Sequence, residues 1–253
     1  MNAQNTGTEK PLARGLVLVA LTLAVIGVAA GIMSGIGYRL DWWHFRTGIQ
    51  MIKWSAYAGL LALALAVIGL AFSRKTRLVV VAGVLAIIIG AIMVYIPLGL
   101  KQTADTLPKI HDITTDVDNP PQFVAVAALR GANDHPVTYD GAEVAAQQKQ
   151  AYPDLQPWAT SADTQTVFAA AKKALENMGL EIVAANDGDL HIEATDTTLL
   201  FGYKDDVVVR IVESGDGSVV DVRSKSRVGR SDLGENAKRI RTFLLELRSE
   251  LKG

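Results

Sequence analysis

The sequence predicts a membrane α-helical block followed by an α+β soluble domain, in which two helices cover an antiparallel sheet of four to five strands. Three long apolar runs fill the first 100 of the 253 residues. Residues 1–100 carry eight basic and two acidic side chains, whereas residues 101–253 carry 17 basic and 24 acidic ones. Beyond residue 160, segments of alternating apolar and polar residues lie between two segments with helical periodicity. We therefore divide the chain into a three-helix transmembrane domain (1–100), an extended connecting strap (101–160) and a soluble domain (161–253).

The apolar runs cover residues 16–37, 52–72 and 78–100. Each is long enough for a helix to cross a hydrocarbon core of about 30 Å. Apart from Lys53 at the edge of the second run, they hold no Asp, Glu, Lys, Arg or His, which argues against ion-coupled transport by this block alone. We expect a multi-pass protein of the inner (plasma) membrane, with the lipid bilayer as its first partner.

The orientation is predicted from the short loop between the second and third runs, which holds Arg74, Lys75 and Arg77. Basic residues concentrate in cytoplasmic loops, so this loop and the N-terminus are expected in the cytoplasm. Residues 101–253 would then lie in the periplasm or another extracytoplasmic space.

Three glycines of the first run, Gly27, Gly31 and Gly35, share one helical face at four-residue spacing. Such a face allows another helix to approach closely. The partner could be a second helix of the same chain or the same face of a second copy, which would make a homo-oligomer.

The connecting strap is predicted to be extended, because Pro108, Pro120 and Pro121 favour neither helix nor central strand. Within it, residues 123–129 are a candidate strand and residues 141–150 a candidate short helix. The strap also holds His111, Asp112 and Asp116, which could serve acid–base chemistry or bind a cation. Asp and Thr in such a segment equally serve to cap turns.

In the soluble domain, Asp163 is expected to cap a helix that ends at Gly179. Four strands follow, at residues 180–185, 190–196, 206–213 and 218–226, and a final helix begins near Asp232. This order resembles helix-grip domains. In the second strand, alternation places His191, Glu193 and Thr195 on the side expected to face solvent. The apolar loop at 199–203 could pack in the core, cover a ligand or dip into the bilayer.

The segment 223–241 concentrates positive charge where the last strand meets the last helix. A period of two puts Arg223, Lys225 and Arg227 on one face of the strand. A capping residue, Ser231 or Asp232, would place free helix-start amides beside these cations, an arrangement suited to phosphate or carboxylate. The predicted anion-binding residues are Arg223, Lys225, Arg227, Arg230, Ser231 and Arg239. The alternative is internal salt bridging with carboxylates such as Asp205, Asp206 and Asp221.

Several functional classes are disfavoured by composition. The chain has no cysteine, which excludes disulfides, thiolate catalysis and cysteine-based metal sites. It shows no zinc spacing, phosphate loop or nucleophile elbow, so no cofactor is predicted. A soluble part with a net negative charge argues against nucleic acid as a partner. We expect a non-enzymatic binding or assembly module for an anionic ligand, a lipid headgroup or a partner protein. The alternative is a metal-dependent or acid–base hydrolase centred on His111, Asp112 and Asp116.

Four motifs, in order along the chain, resemble the bacterial and plastid family called domain of unknown function 1499. They are HDITTD with NPPQF (111–123), YPDLQP (152–157), FGYKDDVVVRI (201–211) and RSKSRVGRSDLGENAKRIR (223–241). The three-span N-terminal block looks like one architecture of that family. The resemblance implies a membrane-associated α+β domain and brings no activity or catalytic residues with it.

Overall fold

The computed structural model describes residues 11–73 and 76–252. Two of the loop residues used to predict orientation, Arg74 and Lys75, lie outside this range. The chain divides into two compact units. One comprises residues 1–102 with 200–202, and the other comprises residues 103–199 and 203–253.

The first unit contains three helices, α1 (Pro11–Arg39), α2 (Phe45–Phe72) and α3 (Arg77–Thr106). All three are long and apolar enough to span a membrane. The helices α1 and α3 extend beyond the predicted apolar runs at both ends, and α2 extends beyond its run at the N-terminal end. The reason is that helical geometry continues into the flanking residues. The predicted three-span block is confirmed at this level.

The glycine face of α1 is filled from within the chain. A Cβ added at Gly27 would clash with Met93 of α3, and one at Gly31 would lie 3.3 Å from Ser55 Oγ of α2. Ser55 Oγ also donates a hydrogen bond to the Gly27 carbonyl at 2.6 Å. The small residues therefore let the three helices of one chain pack closely. The homo-oligomer through Gly27, Gly31 and Gly35 stays a prediction.

The second unit is built on an antiparallel sheet with the strand order β1-β6-β5-β4-β3, in which β2 also pairs with β6. Its strands are β1 (Asp112–Thr114), β2 (Trp158–Thr160), β3 (Glu181–Asn186), β4 (His191–Thr197), β5 (Lys204–Ser214) and β6 (Gly217–Ser226). Its helices are α4 (Ala142–Ala151), α5 (Thr164–Asn177), α6 (Glu235–Glu250) and a short 3-10 helix at Val126–Leu129. The predicted α+β class is confirmed, with two short strands added from the strap.

One face of the sheet carries the apolar core. Val207, Val209 and Ile211 alternate along β5 and pack with Val167 of α5 and Ile240 of α6. The Asp163 cap is confirmed, since its carboxylate accepts a hydrogen bond from the Thr166 amide at 2.9 Å. Burial of this apolar face is the main stabilising contribution of the two helices.

The opposite face of the sheet is covered by the strap, contrary to the expectation that it meets solvent. Glu193 and Thr195 are 1% and 4% exposed. Phe123 and Val126 of the strap pack on Val208 of β5. Residues 126–129 form a 3-10 helix rather than the predicted strand. Alternation correctly separated the two faces, but it contains no information about a cover contributed by a distant segment.

Candidate functional site

The face beneath the strap is a buried layer of charged side chains. On β6 the odd-numbered residues Asp221, Arg223 and Lys225 point to this face, and antiparallel pairing sets Lys225 between Asp112 of β1 and Asp206 of β5. Likewise, Arg210 of β5 lies opposite Asp221. Opposite charges in directly paired positions attract one another across the strands. The sequence pattern thus produces a charge layer, as predicted, but one in which the cations alternate with carboxylates.

Arg223 is at the centre of this layer and is fully buried. Its Nε and one terminal nitrogen each donate to the Asp112 carboxylate at 2.8 Å. The remaining donors reach the carbonyls of Pro121 at 3.1 Å and Val137 at 2.9 Å. The guanidinium also lies 4.8 Å from the centroid of the Phe123 ring. These hydrogen bonds of the Arg223 guanidinium are therefore all directed at acceptors of residues 112–137.

Lys225 is equally buried. Its Nζ lies 3.1 Å from Asp112 and 2.6 Å from Asp140. It donates a further hydrogen bond to the Thr138 carbonyl at 2.6 Å. Two carboxylates and one carbonyl account for the three donors of the ammonium group.

Arg227 shares the Asp206 carboxylate with Arg130 of the strap. Arg227 donates to Asp206 at 2.8 Å and to the Leu129 carbonyl at 2.8 Å. Arg130 approaches the other oxygen of Asp206 at 2.8 Å. Thr195 donates to the same carboxylate at 2.8 Å. A single buried carboxylate thus joins β4, β5, the residue that follows β6 and the strap.

Arg239 lies on the helix-covered side and bridges α6 to the sheet. It donates to Asp196 and Asp205, each at 2.7 Å. Burial alone would lower the pKa of Arg239, but the two carboxylates outweigh it and raise the pKa above its ordinary value. Arg239 also donates to Ser224 and Asn236.

The start of α6 is occupied by the protein's own carboxylate. Asp232 accepts hydrogen bonds from the amides of Asn236 at 2.7 Å and Gly234 at 3.0 Å. The helix begins one residue after Gly234, whose φ of 83° suits glycine. The N-cap residue is thus Gly234 rather than the predicted Ser231 or Asp232. The Asp232 carboxylate nevertheless accepts from amides at the helix start, and it takes the place that an external anion would need.

These contacts correct the predicted anion site at four of its six residues. Four of the six predicted residues form ion pairs with internal carboxylates, namely Arg223, Lys225, Arg227 and Arg239. The sequence did not indicate the individual pairs, because most of the carboxylates come from segments that lie far away along the chain. Ser231 accepts a hydrogen bond from the Leu233 amide at 3.2 Å and donates to the Pro108 carbonyl at 3.4 Å. Arg230 alone of the six is exposed, and its side chain has no hydrogen-bond or ion-pair partner within the described residues.

The residues of the alternative hydrolase site do not converge. Asp112 is fully buried between Arg223 and Lys225. Asp116 instead accepts from Arg210 at 3.2 Å and from the amide of Asn119 at 2.9 Å. In residues 11–73 and 76–252, no group of three or more His, Asp and Glu side chains could hold a metal ion.

His111 lies instead against a histidine that sequence reasoning missed. Its ring stacks on that of His135, with 4.0 Å between centroids and 14° between planes. His111 Nε2 is 3.6 Å from a carboxylate oxygen of Asp140. Burial, followed by the neighbouring His135, lowers the pKa of His111 below its ordinary value of 6.5. No local motif in the segment 131–140 could have indicated this partner, since the contact is between distant parts of the chain.

The geometry defines a class of protein, in which three helices that are long and apolar enough to span a membrane precede an α+β domain whose sheet is covered by helices on one side and by a strap on the other. The chain matches the family model described as protein of unknown function (DUF1499) over residues 112–247. It therefore belongs to the DUF1499 family. The matched region begins at the first residue of β1 and so includes the whole buried charge layer. No curated protein matches the chain.

Proposed function

We propose that the protein is a membrane-anchored binding module whose soluble domain engages anionic lipid headgroups through exposed basic residues near the end of α3. The observation that supports this proposal is the exposure of Arg230, while the other predicted cations of 223–239 are neutralised internally. Lys109 and Lys204 are also exposed. We call Lys109, Lys204 and Arg230 the basic corner.

The three residues of the basic corner are held together by backbone contacts within the soluble unit. The Arg227 amide donates to the Lys204 carbonyl at 2.9 Å. The Ser226 amide donates to the His111 carbonyl at 3.0 Å, and the Asp232 amide to that of Ile110 at 3.3 Å. These bonds fix the segment around Arg230 against residues 108–111.

Chain connectivity supports a position of Lys109 near the bilayer. The helix α3 ends at Thr106, and Lys109 follows three residues later. An extended residue spans at most about 3.6 Å, so Lys109 must stay within a short distance of the helix end. A basic side chain close to an anionic membrane surface contributes about 1 kcal/mol.

The test is native mass spectrometry of the full-length protein from mixed micelles of phosphatidylglycerol and phosphatidylcholine. The triple variant K109Q/K204Q/R230Q removes the basic corner. We expect its ratio of bound anionic to zwitterionic lipid to fall at least about fivefold, which corresponds to roughly 1 kcal/mol.

A charge-matched control is K172Q/K173Q/K252Q, because these exposed lysines lie on α5 and beyond α6. The control should keep the lipid preference of the wild-type protein. An unchanged preference in the basic-corner variant, or an equal loss in both variants, would contradict the proposal.

A further inference from the structure

The stacked pair of His111 and His135 fastens one end of the strap to the sheet. His111 directly precedes β1, whereas His135 lies in the segment 131–136, whose residues Gly131 to Asn133 are exposed. Three bonds of His135 attach this segment to the rest of the domain. Its amide donates to the Arg227 carbonyl at 2.7 Å, its carbonyl accepts from Arg130 at 2.7 Å, and its Nε2 lies 2.7 Å from the Gly229 carbonyl.

The hydrogen bonds define how the rings carry protons. A carbonyl can only accept, so His135 donates from Nε2 to Gly229. His111 faces Asp140 with Nε2, and its buried Nδ1 has no hydrogen-bond partner among the described residues. Protonation of His111 would therefore place a second N–H where nothing accepts it, a costly arrangement for a buried donor.

The charges around His111 disfavour an additional positive charge on its ring. Asp140 and Asp112 face His111 and favour its protonation, whereas Lys225 and His135 oppose it. Both carboxylates are already paired with Lys225, and Asp112 also with Arg223. The adjoining segments further carry Lys109, Asp134, Tyr139 and Arg230.

We propose that the stacked His111–His135 pair is an acid-sensitive latch, which holds residues 131–136 on the sheet while His111 is neutral and releases them when His111 is protonated. Release would uncover the rim of the charge layer around Lys225 and Asp140. This conformational role is separate from the lipid contact proposed above, since neither ring belongs to the basic corner.

The direction of the pH dependence follows from linkage. The pKa of His111 is lower in the closed domain than its ordinary value of 6.5, so the closed form binds fewer protons than the released one. The latch is therefore fully effective above about pH 6.5 and weakens as the pH falls towards the lowered pKa.

The experiment is hydrogen exchange, followed by mass spectrometry, on the full-length protein in detergent between pH 7.5 and pH 5.0. Rates are corrected for the intrinsic pH dependence of amide exchange. In the wild-type protein we expect protection of residues 131–136 to fall about tenfold as the pH falls across this range, a change of roughly 1.4 kcal/mol in the free energy of release. Protection of α5 should stay constant.

Variants separate the latch from a general effect of acid. H111F keeps an aromatic ring in the stack but cannot be protonated there, so the pH-dependent loss in 131–136 should disappear. H191Q, at a histidine outside the pair, should retain it. A flat profile in the wild-type protein overturns the latch without any variant, and so does an equal pH-dependent loss in the wild-type and H111F proteins.

Discussion

Two arginine–aspartate pairs in this domain have similar geometry and opposite exposure to solvent. Arg223 binds Asp112 through two hydrogen bonds of 2.8 Å, with both side chains fully buried. Arg241 binds Asp154 at 2.6 Å and 2.7 Å, with the side chains 42% and 54% exposed. A hydrogen bond from Arg241 lowers the pKa of Asp154, but water competes for this pair. At the residue scale, burial rather than bond length decides what a pair contributes.

We predict that D112A destabilises the domain by about 3–5 kcal/mol, because it leaves Arg223 buried without its carboxylate and deprives Lys225 of one of its two. The matched variant D154A should cost about 1 kcal/mol or less. The measurement is the midpoint of urea unfolding of the full-length protein in detergent. Unfolding is monitored through hydrogen exchange of peptides from α5. A similar loss of unfolding free energy in D112A and D154A would contradict the larger stabilising role of the buried pair.

The strap is the element that distinguishes this domain from a sheet with one solvated face. Glu193 of β4 accepts hydrogen bonds from three consecutive strap amides, those of Val124 at 2.9 Å, Ala125 at 2.8 Å and Val126 at 2.9 Å. These amides form the entry to the 3-10 helix at 126–129. A carboxylate on the sheet thus serves the start of a short helix in the strap, as side-chain caps do within longer helices.

At this scale we predict that E193Q loosens the strap, because an amide side chain has only one acceptor oxygen and no charge to offer the three donors. Hydrogen exchange of residues 122–130 should become about tenfold faster, as expected for loss of one charge-assisted hydrogen bond of roughly 1.5 kcal/mol. E213Q on the neighbouring strand β5 is the control, since Glu213 is exposed. Equal exchange in E193Q and wild-type protein would argue against the capping role.

The whole molecule combines three helices that could span a membrane with a domain that follows the third of them directly. The loop between α2 and α3 carries Arg74, Lys75 and Arg77, and basic loops stay in the cytoplasm. Because α3 would cross the membrane after this loop, we predict that the domain that follows α3 lies outside the cytoplasm. A phosphatase fused after Gly253 should be active, and a fluorescent protein fused there should stay dark. The reverse pattern would place the domain in the cytoplasm. A fluorescent protein at the N-terminus, expected to glow, is the control.

Features that depend on local order could be predicted from the amino-acid sequence. Apolar length determined the three helices, a period of two separated Arg223 and Lys225 from Val220 and Val222, and Asp163 marked the start of α5. Only the tertiary structure decided what covers the charged face of the sheet and which carboxylate meets each cation. Asp112 and Arg223 are 111 positions apart, and the His111–His135 stack joins two irregular segments. Such contacts depend on how the strap folds back over the sheet, which no local periodicity encodes.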